Sequence, residues 1–334
     1  MGTVYITTED SFIGKTDERL TVRSNGEKLL DVPLLKIDGL VVLGRSTLSP
    51  AVVSELLDRQ IPLSFLTVTG KFRGRLEPEL TKNIFVRRSQ WAAAGETEQA
   101  VHVVRGFIRG KLKNYRSALQ RSQRDYPEQD LSHPVVELKR MIDRLDREVS
   151  IDVLRGLEGA GSAVYFGCFG QLLRNPEFTF PKRSRRPPTD PVNALLSFGY
   201  ALLRHDIQGA VNIVGFDPYL GYLHLEHYGR PSLALDLMEE FRPLVVDAMV
   251  LSALNRQQFK PDDFQSELLS GAVKLTDEGR KRFLRFYEQK KQSEFKHPVM
   301  KRKCNYREAF EIQARLLSKY LMGQTEVYPP LILK

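Results

Sequence analysis

"GLVVLGRSTLSPAVVSELLDRQIPLSFLT", residues 39–67, combines two hydrophobic patterns in one short stretch. Its ends, GLVVLG and IPLSFLT, are short apolar runs rich in Leu, Val and Phe and bounded by Gly and Pro, which is typical of strands. Between them Ser49 precedes Pro50, and apolar residues then recur at helical spacing, so Ser49 is expected to cap a helix that begins at Pro50. The stretch therefore predicts a strand, a helix and a second strand.

Further short strands surround this unit. The runs TVYIT, RLTVRS and KLLDVPL precede it and GKFRGRL follows it, so residues 3–76 are expected to be β-rich. From about Phe85 the pattern changes to a 3.6-residue period, as in EQAVHVVRGFIRGKLKNYRSALQRSQRD and EAFEIQARLLSKYL. We predict an α+β fold, with a small N-terminal β-rich domain at 1–78, a linker at 79–84 and a larger all-α C-terminal domain at 85–334.

The composition limits the classes of protein. Hydrophobic residues make up 42% of the 334 residues and charged residues 27%, and no apolar run approaches the roughly 20 residues that cross a bilayer. We therefore expect a cytoplasmic protein. Cys168 and Cys304 are the only cysteines, which excludes a disulfide framework and a zinc module built on cysteines. Any metal would have to be held by His, Asp or Glu.

Positive charge is concentrated in the helical region. The net charge is +9 at pH 7, which favours a polyanionic partner, although solubility alone would also explain it. Three basic clusters with interleaved aromatic residues are candidates for contact with nucleic-acid phosphates. They are Arg105, Arg109, Lys113 and Arg116 on one helical stripe, Lys182, Arg183, Arg185 and Arg186 in a proline-rich loop, and Lys290, Lys291, Lys296, Lys301, Arg302 and Lys303 near the end.

The segment GYLHLEHYGRPSLALDLMEEFRP, residues 221–243, is rich in potential metal ligands. If residues 233–249 are helical, Asp236, Glu240 and Asp247 fall opposite the apolar residues and are expected to face solvent. Glu239 falls at the edge of the apolar face, where a carboxylate loses water and needs a compensating cation. Glu239 is therefore the best ligand candidate among the acids of this segment. Pro243 is expected in a first helical turn or at a kink.

The two histidines of this segment allow more than one interpretation. His224 could be a core histidine that bonds a backbone carbonyl rather than a ligand. The pair His224 and His227 indicates a zinc hydrolase only weakly, because HLEH matches neither HExxH nor HxxEH. The spacing alone does not decide between these roles.

A further acid lies in VLRGLEGAGSAVYFG, where Glu158 falls on an apolar or small face of a predicted helix. An unpaired carboxylate would be costly there. Glycines at 156, 159 and 161 weaken a helix, which suggests close approach by another backbone or a ligand, with simple helix packing as the alternative. The GLEGAG stretch is not a phosphate-binding loop, since no GK[ST] follows it.

These motifs resemble, over nearly the whole chain, the integrase/endonuclease family of CRISPR adaptation, the CRISPR-associated protein numbered one. The matching stretches include LRGLEGAGSAVYF, DPVNALLSFGYALL, GFDPYLGYLH and RPSLALDLMEEFRPLVVD, in this order and spacing. The resemblance implies an N-terminal β domain and a C-terminal helical domain. It also implies that Glu158, His224 and Glu239 are the catalytic metal ligands, with Asp236 supporting them.

The resemblance implies a reaction and partners as well. Mg²⁺ or Mn²⁺ at these ligands would support attack by the 3′-hydroxyl ends of a short protospacer DNA on the CRISPR repeat, or hydrolysis by water. The β-rich domain is expected to form a homodimer, and a small ferredoxin-like adaptation protein is the expected partner. The basic clusters would contact double-stranded DNA.

Two other functions remain open from the sequence alone. One is a non-catalytic DNA-binding scaffold of the same assembly, in which the three ligand residues are structural. The other is a zinc hydrolase of small molecules that binds its metal through both His224 and His227. Dependence of DNA nicking on a divalent metal distinguishes the enzyme from the scaffold.

Overall fold

The computed structural model describes residues 2–76, 83–95 and 97–333. The chain forms two compact units, Met1–Leu80 with Asp277–Glu288, and Thr81–Thr276 with Gln289–Lys334. The first contains two sheets and the second is mainly helical, which confirms the predicted α+β fold class. Of the expected linker at 79–84, residues 79–82 lie outside the described residues.

The first unit has two four-stranded sheets. One has the order β1-β5-β7-β8, with parallel pairs except for the β7–β8 hairpin, and the other has the order β4-β3-β2-β6, in which only β2 and β6 are parallel. The strands are β1 (Gly2–Ile6), β2 (Ser11–Thr16), β3 (Arg19–Ser24), β4 (Glu27–Pro33), β5 (Ile37–Leu43), β6 (Ser46–Leu48), β7 (Leu63–Leu66) and β8 (Phe72–Leu76).

The opening stretch forms the strand–helix–strand unit that its pattern predicts. Helix α1 (Pro50–Asp58) connects β6 to β7, and the Ser49 side chain caps it by accepting a 3.3 Å hydrogen bond from the Val52 amide. Val52 and Leu56 of α1 are fully buried with Leu40 of β5 in one apolar core. The helical segment Asp277–Glu288 belongs to this unit, where the Thr3 amide donates a 3.1 Å hydrogen bond to Glu288 Oε1.

The second unit is built from long helices. The predicted helix at 98–125 and the predicted helix at 308–321 are both present, the latter beginning two residues earlier. Its helices are α2 (Ile84–Ala92), α3 (Glu98–Asp125), α4 (Ser132–Arg144), α5 (Ile151–Cys168), α6 (Pro191–Val214), α7 (Ser232–Met238), α8 (Ala248–Asn255) and α10 (Tyr306–Leu321). Helix α9 (Asp277–Gln292) comes between α8 and α10 in the chain, and its residues up to Glu288 belong to the first unit.

Two short hairpins interrupt this helical part of the chain. Strands β9 (Phe264–Ser266) and β10 (Val273–Leu275) form one, and β11 (Glu294–Lys296) and β12 (Lys303–Asn305) form the other. Each strand has three residues, which is too short for the alternation that identifies a strand in a sequence. The expectation of an all-α region therefore missed them.

Pro243 interrupts the helix predicted at 233–249. Helix α7 ends at Met238, a π-helical turn runs from Arg242 to Asp247, and α8 follows. Because proline has no amide hydrogen and its ring crowds the preceding turn, a continuous α-helix cannot form here. Pro243 lies in the first turn of the π-helical segment, which is one of the two positions predicted for it, and the wider turn changes which side chains point to the same side.

A glycine allows α5 to pack closely against α3. A Cβ atom at Gly161 would lie 2.3 Å from Cδ2 of Leu112, whereas a Cβ at Gly156 would meet nothing within 4 Å among the described residues. Gly161 therefore fits the packing interpretation of these glycines. The approach of the two helices positions the acid on α5 beside side chains of α3.

Two further predictions concern cysteines and membrane segments. Cys168 and Cys304 are both buried free thiols. Within the described ranges, none of the helices has the length and apolar character that crossing a bilayer requires.

Candidate active site

A cleft of about 390 Å³ opens in the second unit. It brings together three side chains that are far apart in the sequence, Glu158 on α5, His224 in the loop before α7, and Glu239 just after α7. These are the three ligands implied by the family resemblance. Among the described residues, the lining consists of Lys111, Glu158, Gly159, Ser162, Ala163, Phe166, Arg183, Arg185, His224, Glu239 and Arg242.

Lys111 connects the two carboxylates of the cleft. It lies on α3, is 3% exposed, and forms ion pairs with both Glu158 and Glu239, its Nζ lying 2.6 Å from Glu239 Oε2. Ser162, one turn after Glu158 on α5, donates a 2.9 Å hydrogen bond to Glu158 Oε1. Buried charges are stable only when opposite charges and hydrogen bonds compensate for lost hydration. The lysine and the two glutamates therefore stabilise one another.

Glu239 is a buried anion whose charge neighbouring cations compensate. Burial raises its pKa, but the charges of Arg242, Lys111 and His224 outweigh burial and lower the pKa to about 2. Nε of Arg242 lies 3.1 Å from Glu239 Oε1. The carboxylate is therefore ionised at neutral pH. The prediction that Glu239 needs a compensating cation is confirmed.

The imidazole of His224 is held by Asp236, which is fully buried. Nδ1 of His224 lies 2.6 Å from Asp236 Oδ1, which also accepts the His224 amide at 2.9 Å. Oδ2 of Asp236 accepts the amides of Tyr222 at 2.6 Å and Leu223 at 2.9 Å. A carboxylate accepts, so Nδ1 bears a proton and, in the neutral imidazole, Nε2 carries the lone pair. This is the arrangement in which a histidine binds a metal.

The same interaction explains the protonation behaviour of His224. Burial lowers the pKa of the imidazole, but the hydrogen bond to Asp236 and the charges of Asp236 and Glu239 outweigh it, so the pKa is raised. Its side chain is 28% exposed. The alternative of a core histidine bonded to a backbone carbonyl is therefore wrong, because its partner is a carboxylate.

An aromatic and cationic layer lies beside the carboxylates. The guanidinium of Arg242 lies 4.7 Å from the centre of the Tyr200 ring, and that of Arg183 lies 5.5 Å from it. The Tyr200 hydroxyl donates to Asp247. Burial raises the pKa of Asp247 to about 7, although this hydrogen bond and the two arginines act in the opposite direction. Stacking on Tyr200 fixes the two guanidinium groups in position.

The expectation that Asp236, Glu240 and Asp247 face solvent is wrong, since all three are 0% exposed. Polar partners distant in sequence compensate for their burial. Glu240 accepts hydrogen bonds from the Tyr328 hydroxyl, the Leu331 amide and Gln313. Burial raises the pKa of Glu240 to about 7 against these hydrogen bonds. A helical wheel records only hydrophobicity, so it cannot identify buried acids of this kind.

The predicted DNA-contacting residues lie in different surroundings. Arg183 and Arg185 line the cleft, and Arg183 is half-buried because its guanidinium donates to Asn193 and Ser197. The other predicted contacts lie outside this lining among the described residues. They are Arg105, Arg109, Lys113, Arg116, Lys182, Arg186, Lys301, Arg302 and Lys303.

Some basic residues of the predicted clusters already contact protein groups. Arg105 donates a 2.7 Å hydrogen bond to the Glu148 carbonyl, and Arg109 pairs with Asp146. Lys291 is 1% exposed and lies 3.2 Å from an Asp206 oxygen, so it is not part of the exposed cluster. Lys301, Arg302 and Lys303 are exposed, and Arg302 pairs with Glu308 at 3.3 Å.

The donor set of the cleft fits a divalent cation in kind. Mg²⁺ takes carboxylate oxygens, and Mn²⁺ takes both carboxylates and imidazole. In residues 2–76, 83–95 and 97–333, no three His, Cys, Asp or Glu side chains are already close enough to hold a metal ion. The ammonium of Lys111 instead supplies the positive charge between Glu158 and Glu239. The residues therefore fit a cation, and one cationic group already stands beside both carboxylates.

The two-histidine zinc site finds no support in the geometry. His227 is exposed, its Nδ1 lies 3.0 Å from the Tyr228 carbonyl, and it is outside the described lining of the cleft. Its side chain thus does not join His224.

Sequence reasoning missed two residues of this site, Lys111 and Arg242. Lys111 shares a face of α3 with Val104, Phe107 and Ile108, all fully buried. A lysine on such a face must find a carboxylate partner, which is a signal that the helical pattern contains. The prediction for this helix considered only the basic residues of its other face, Arg105, Arg109, Lys113 and Arg116.

Sequence comparison identifies the family. The family model described as CRISPR associated protein Cas1 matches residues 4–289. The CRISPR-associated endonuclease Cas1 2 of Rhodospirillum rubrum is 40% identical over 99% of this chain and 98% of the relative.

Two solved structures share the fold. A casposase bound to integration product has a TM-score of 0.87 at 21% identity, covering 100% of this chain and 95% of that chain. A chain described as a Cas6-RT-Cas1--Cas2 complex has a TM-score of 0.81 at 23% identity, and the match covers 99% of this chain but 36% of that longer chain. With the family match over most of its length, this chain belongs to the Cas1 family of CRISPR-associated proteins.

Proposed function

We propose that this protein is a metal-dependent DNA endonuclease and integrase of CRISPR adaptation. The single observation that supports this most strongly is the meeting of Glu158, His224 and Glu239 in one cleft, where the other charged groups of the described lining are cations. Lys111, Arg183, Arg185 and Arg242 line the same cleft, so its positive groups outnumber its carboxylates and favour a phosphate. Family membership and the name of the Rhodospirillum rubrum relative agree with nuclease chemistry.

Glu158, His224 and Glu239 would hold Mg²⁺ or Mn²⁺, which neutralises charge on phosphoryl oxygens and lowers the pKa of an attacking hydroxyl. Asp236 keeps the proton on Nδ1 of His224 and so leaves Nε2 available as a ligand. Arg242 fixes the Glu239 carboxylate, and Ser162 fixes that of Glu158. Arg185, which is exposed, and Arg183, which Asn193 and Ser197 hold by hydrogen bonds, would contact the DNA phosphates that flank the reacting bond.

Integration and nicking use the same groups. Attack by water breaks a phosphodiester bond, whereas attack by the 3′-hydroxyl of a protospacer joins it to the repeat and releases the original 3′ end. Because one phosphodiester bond forms for each one broken, strand transfer needs no nucleotide triphosphate. The similarity to a casposase structure with an integration product supports strand transfer as the biological reaction.

The assembly is a further part of the proposal. Two ends of a protospacer must be inserted a fixed distance apart, which favours a symmetric assembly with two active sites. We propose a homodimer formed through the β-rich domain, residues 1–78, and a small ferredoxin-like adaptation protein that joins two dimers. The similarity to a chain of a complex that contains Cas2 supports this partner. The basic clusters named above then follow the DNA backbone.

An integration assay tests this function. Purified protein is incubated with a 3′-hydroxyl protospacer and a supercoiled plasmid that carries a CRISPR array, in Mg²⁺, Mn²⁺ or EDTA, with and without the partner protein. We expect nicked and joined products only with the divalent metal, and their loss in Glu158→Gln with DNA affinity retained.

Glu278→Gln is the matched control, since Glu278 is 76% exposed and pairs with Lys281. Products that form equally in EDTA, or equally in Glu158→Gln, would refute the proposal. Metal-independent DNA binding without any product would instead indicate a scaffold.

A further inference from the structure

Lys111 has an unusual position for a lysine. It is 3% exposed on a helix face whose neighbours are apolar, and its ammonium lies 5.6 Å from the centre of the Tyr115 ring. The same ammonium forms ion pairs with Glu158 and with Glu239, two residues that reach the cleft from different elements. A lysine in this setting is held by its charge partners rather than by packing alone.

The Lys111 ammonium and a divalent cation cannot both lie against the carboxylates of Glu158 and Glu239. Two ionised carboxylates held near one another in a buried site repel, and the Lys111 ammonium offsets that repulsion. A divalent cation bound to the same two carboxylates would lie close to the ammonium and be repelled by it. At roughly 4 Å and an effective dielectric constant near 20, the repulsion even between unit charges is large compared with thermal energy. The ammonium and a divalent cation therefore compete for the carboxylates.

We propose that Lys111 is a built-in counter-ion of the site. Without a divalent cation its ammonium neutralises Glu158 and Glu239 and keeps their carboxylates together, and a binding divalent cation displaces it. The lysine side chain has four rotatable bonds, so the ammonium can leave while α3 stays in place. Metal binding is then an exchange of one cation for another. This inference rests on the proposed metal site and adds a residue that controls its affinity.

A permanent structural ion pair would have different consequences. If Lys111 served only to hold α3 against α5, its removal would weaken the fold equally with and without a metal ion. If it instead helped to form the site that receives the metal, its removal would weaken metal binding. Only the counter-ion role predicts that removal of Lys111 makes the stability of the fold more dependent on metal and also makes the site bind metal more tightly.

The test compares the full-length wild type with Lys111→Met, which keeps the length and removes the charge. Mn²⁺ binding is measured from the signal of free Mn²⁺ by electron paramagnetic resonance, and the melting temperature is measured in EDTA and in saturating Mn²⁺. We expect the variant to bind Mn²⁺ at least about tenfold more tightly. We also expect it to melt roughly 5 °C lower in EDTA, with the difference reduced in Mn²⁺.

Lys139→Met is the matched control, because Lys139 is 57% exposed and pairs only with Asp143 at the surface of α4 in the described contacts. It should leave both readouts at wild-type values. If Lys111→Met is too unstable to purify in EDTA, refolding in Mn²⁺ should recover it, and failure to recover overturns the inference. Lys111→Arg, which keeps the charge, should bind Mn²⁺ no more tightly than the wild type.

The outcomes separate this inference from the proposed function. A wild type that binds Mn²⁺ together with a Lys111→Met variant that binds it equally or more weakly overturns the counter-ion role and leaves the metal site standing. A wild type and a Lys111→Met variant that both fail to bind Mn²⁺ overturn the metal site itself, and this inference with it.

Discussion

The substitution Asp236→Asn tests how the site prepares its histidine. In the wild type, Asp236 offers two oxygens to four donors, the amides of Tyr222, Leu223 and His224 and the Nδ1–H of His224. Asparagine keeps one carbonyl oxygen and replaces the other with an NH₂ group, which cannot accept. The variant has the same shape as the wild type, so the change is confined to these hydrogen bonds.

The geometry decides how the asparagine is oriented. Tyr222 and Leu223 offer backbone amides at 2.6 and 2.9 Å, which cannot change their role, so the carbonyl oxygen stays with them. The NH₂ group then faces His224. The imidazole can accept a hydrogen bond from it at Nδ1 only if the ring proton is on Nε2, so we expect this tautomer. Two donors are left without an acceptor, the His224 backbone amide and the second N–H of the new NH₂ group, at a cost of about 1–3 kcal/mol each. Folded proteins are stable by about 5–15 kcal/mol, so we expect the variant to fold with reduced stability.

The same change removes one of the proposed metal ligands. With its proton on Nε2, the imidazole no longer offers a lone pair toward the cleft, so we expect Mn²⁺ affinity to fall about 10- to 100-fold, the effect typical of losing a residue that orients a metal-binding histidine. Urea unfolding measures the stability, Mn²⁺ titration measures the affinity, and nitrogen chemical shifts of the His224 ring report its tautomer. Asp143→Asn, at a position 59% exposed on α4, is the control. Unchanged Mn²⁺ affinity with the proton still on Nδ1 would refute this reasoning.

Three further predictions concern stability and DNA binding. Burial raises the pKa of Glu240 in the folded state only, so Glu240 should contribute a fall of roughly 3 kcal/mol in the free energy of unfolding as pH rises from 4.5 to about 7. Asp247, whose pKa burial also raises to about 7, should contribute a fall in the same direction. Urea titrations of the wild type and Glu240→Gln between pH 4.5 and 8 check this, because the fall should be smaller in the variant by about 3 kcal/mol, and an equal fall in both proteins would contradict it. Gly161→Ala should destabilise the fold by about 1–3 kcal/mol, because the new Cβ would lie 2.3 Å from Leu112. Gly156→Ala has nothing within 4 Å of its new Cβ among the described residues, so it should be neutral or stabilise the fold by up to about 1 kcal/mol. Urea unfolding measures both variants, and equal effects would exclude the packing argument. Arg185→Ala should reduce the slope of log DNA affinity against log salt by about 1, with Lys139→Ala as control, and an unchanged slope would show that Arg185 contacts no phosphate.

Local patterns predicted the elements of this fold well where they were long. Helices α3 and α10, and the cap of α1 at Ser49, could be predicted because their residue spacing lies within one continuous segment. The three-residue strands β9 to β12 could not be recognised, because their pairing rather than their own pattern forms them. Local sequence thus determines elements whose stability is local, and misses those that need a distant partner.

The candidate site shows the same limit more clearly. A helical wheel placed Glu240 in solvent because its partners, Tyr328 and Gln313, lie far along the chain. The convergence of Glu158, His224 and Glu239 likewise depends on tertiary contacts, and the sequence suggested it only through family resemblance.

The most direct test of the account is the position of a bound metal. Crystals grown with Mn²⁺ and a DNA substrate are measured at the manganese absorption edge, where anomalous scattering locates the ion. We expect one peak in the cleft, at coordination distance from Glu158, Glu239 and Nε2 of His224, with a DNA phosphate beside it. An active protein whose manganese lies elsewhere, with these three side chains unligated, would contradict it.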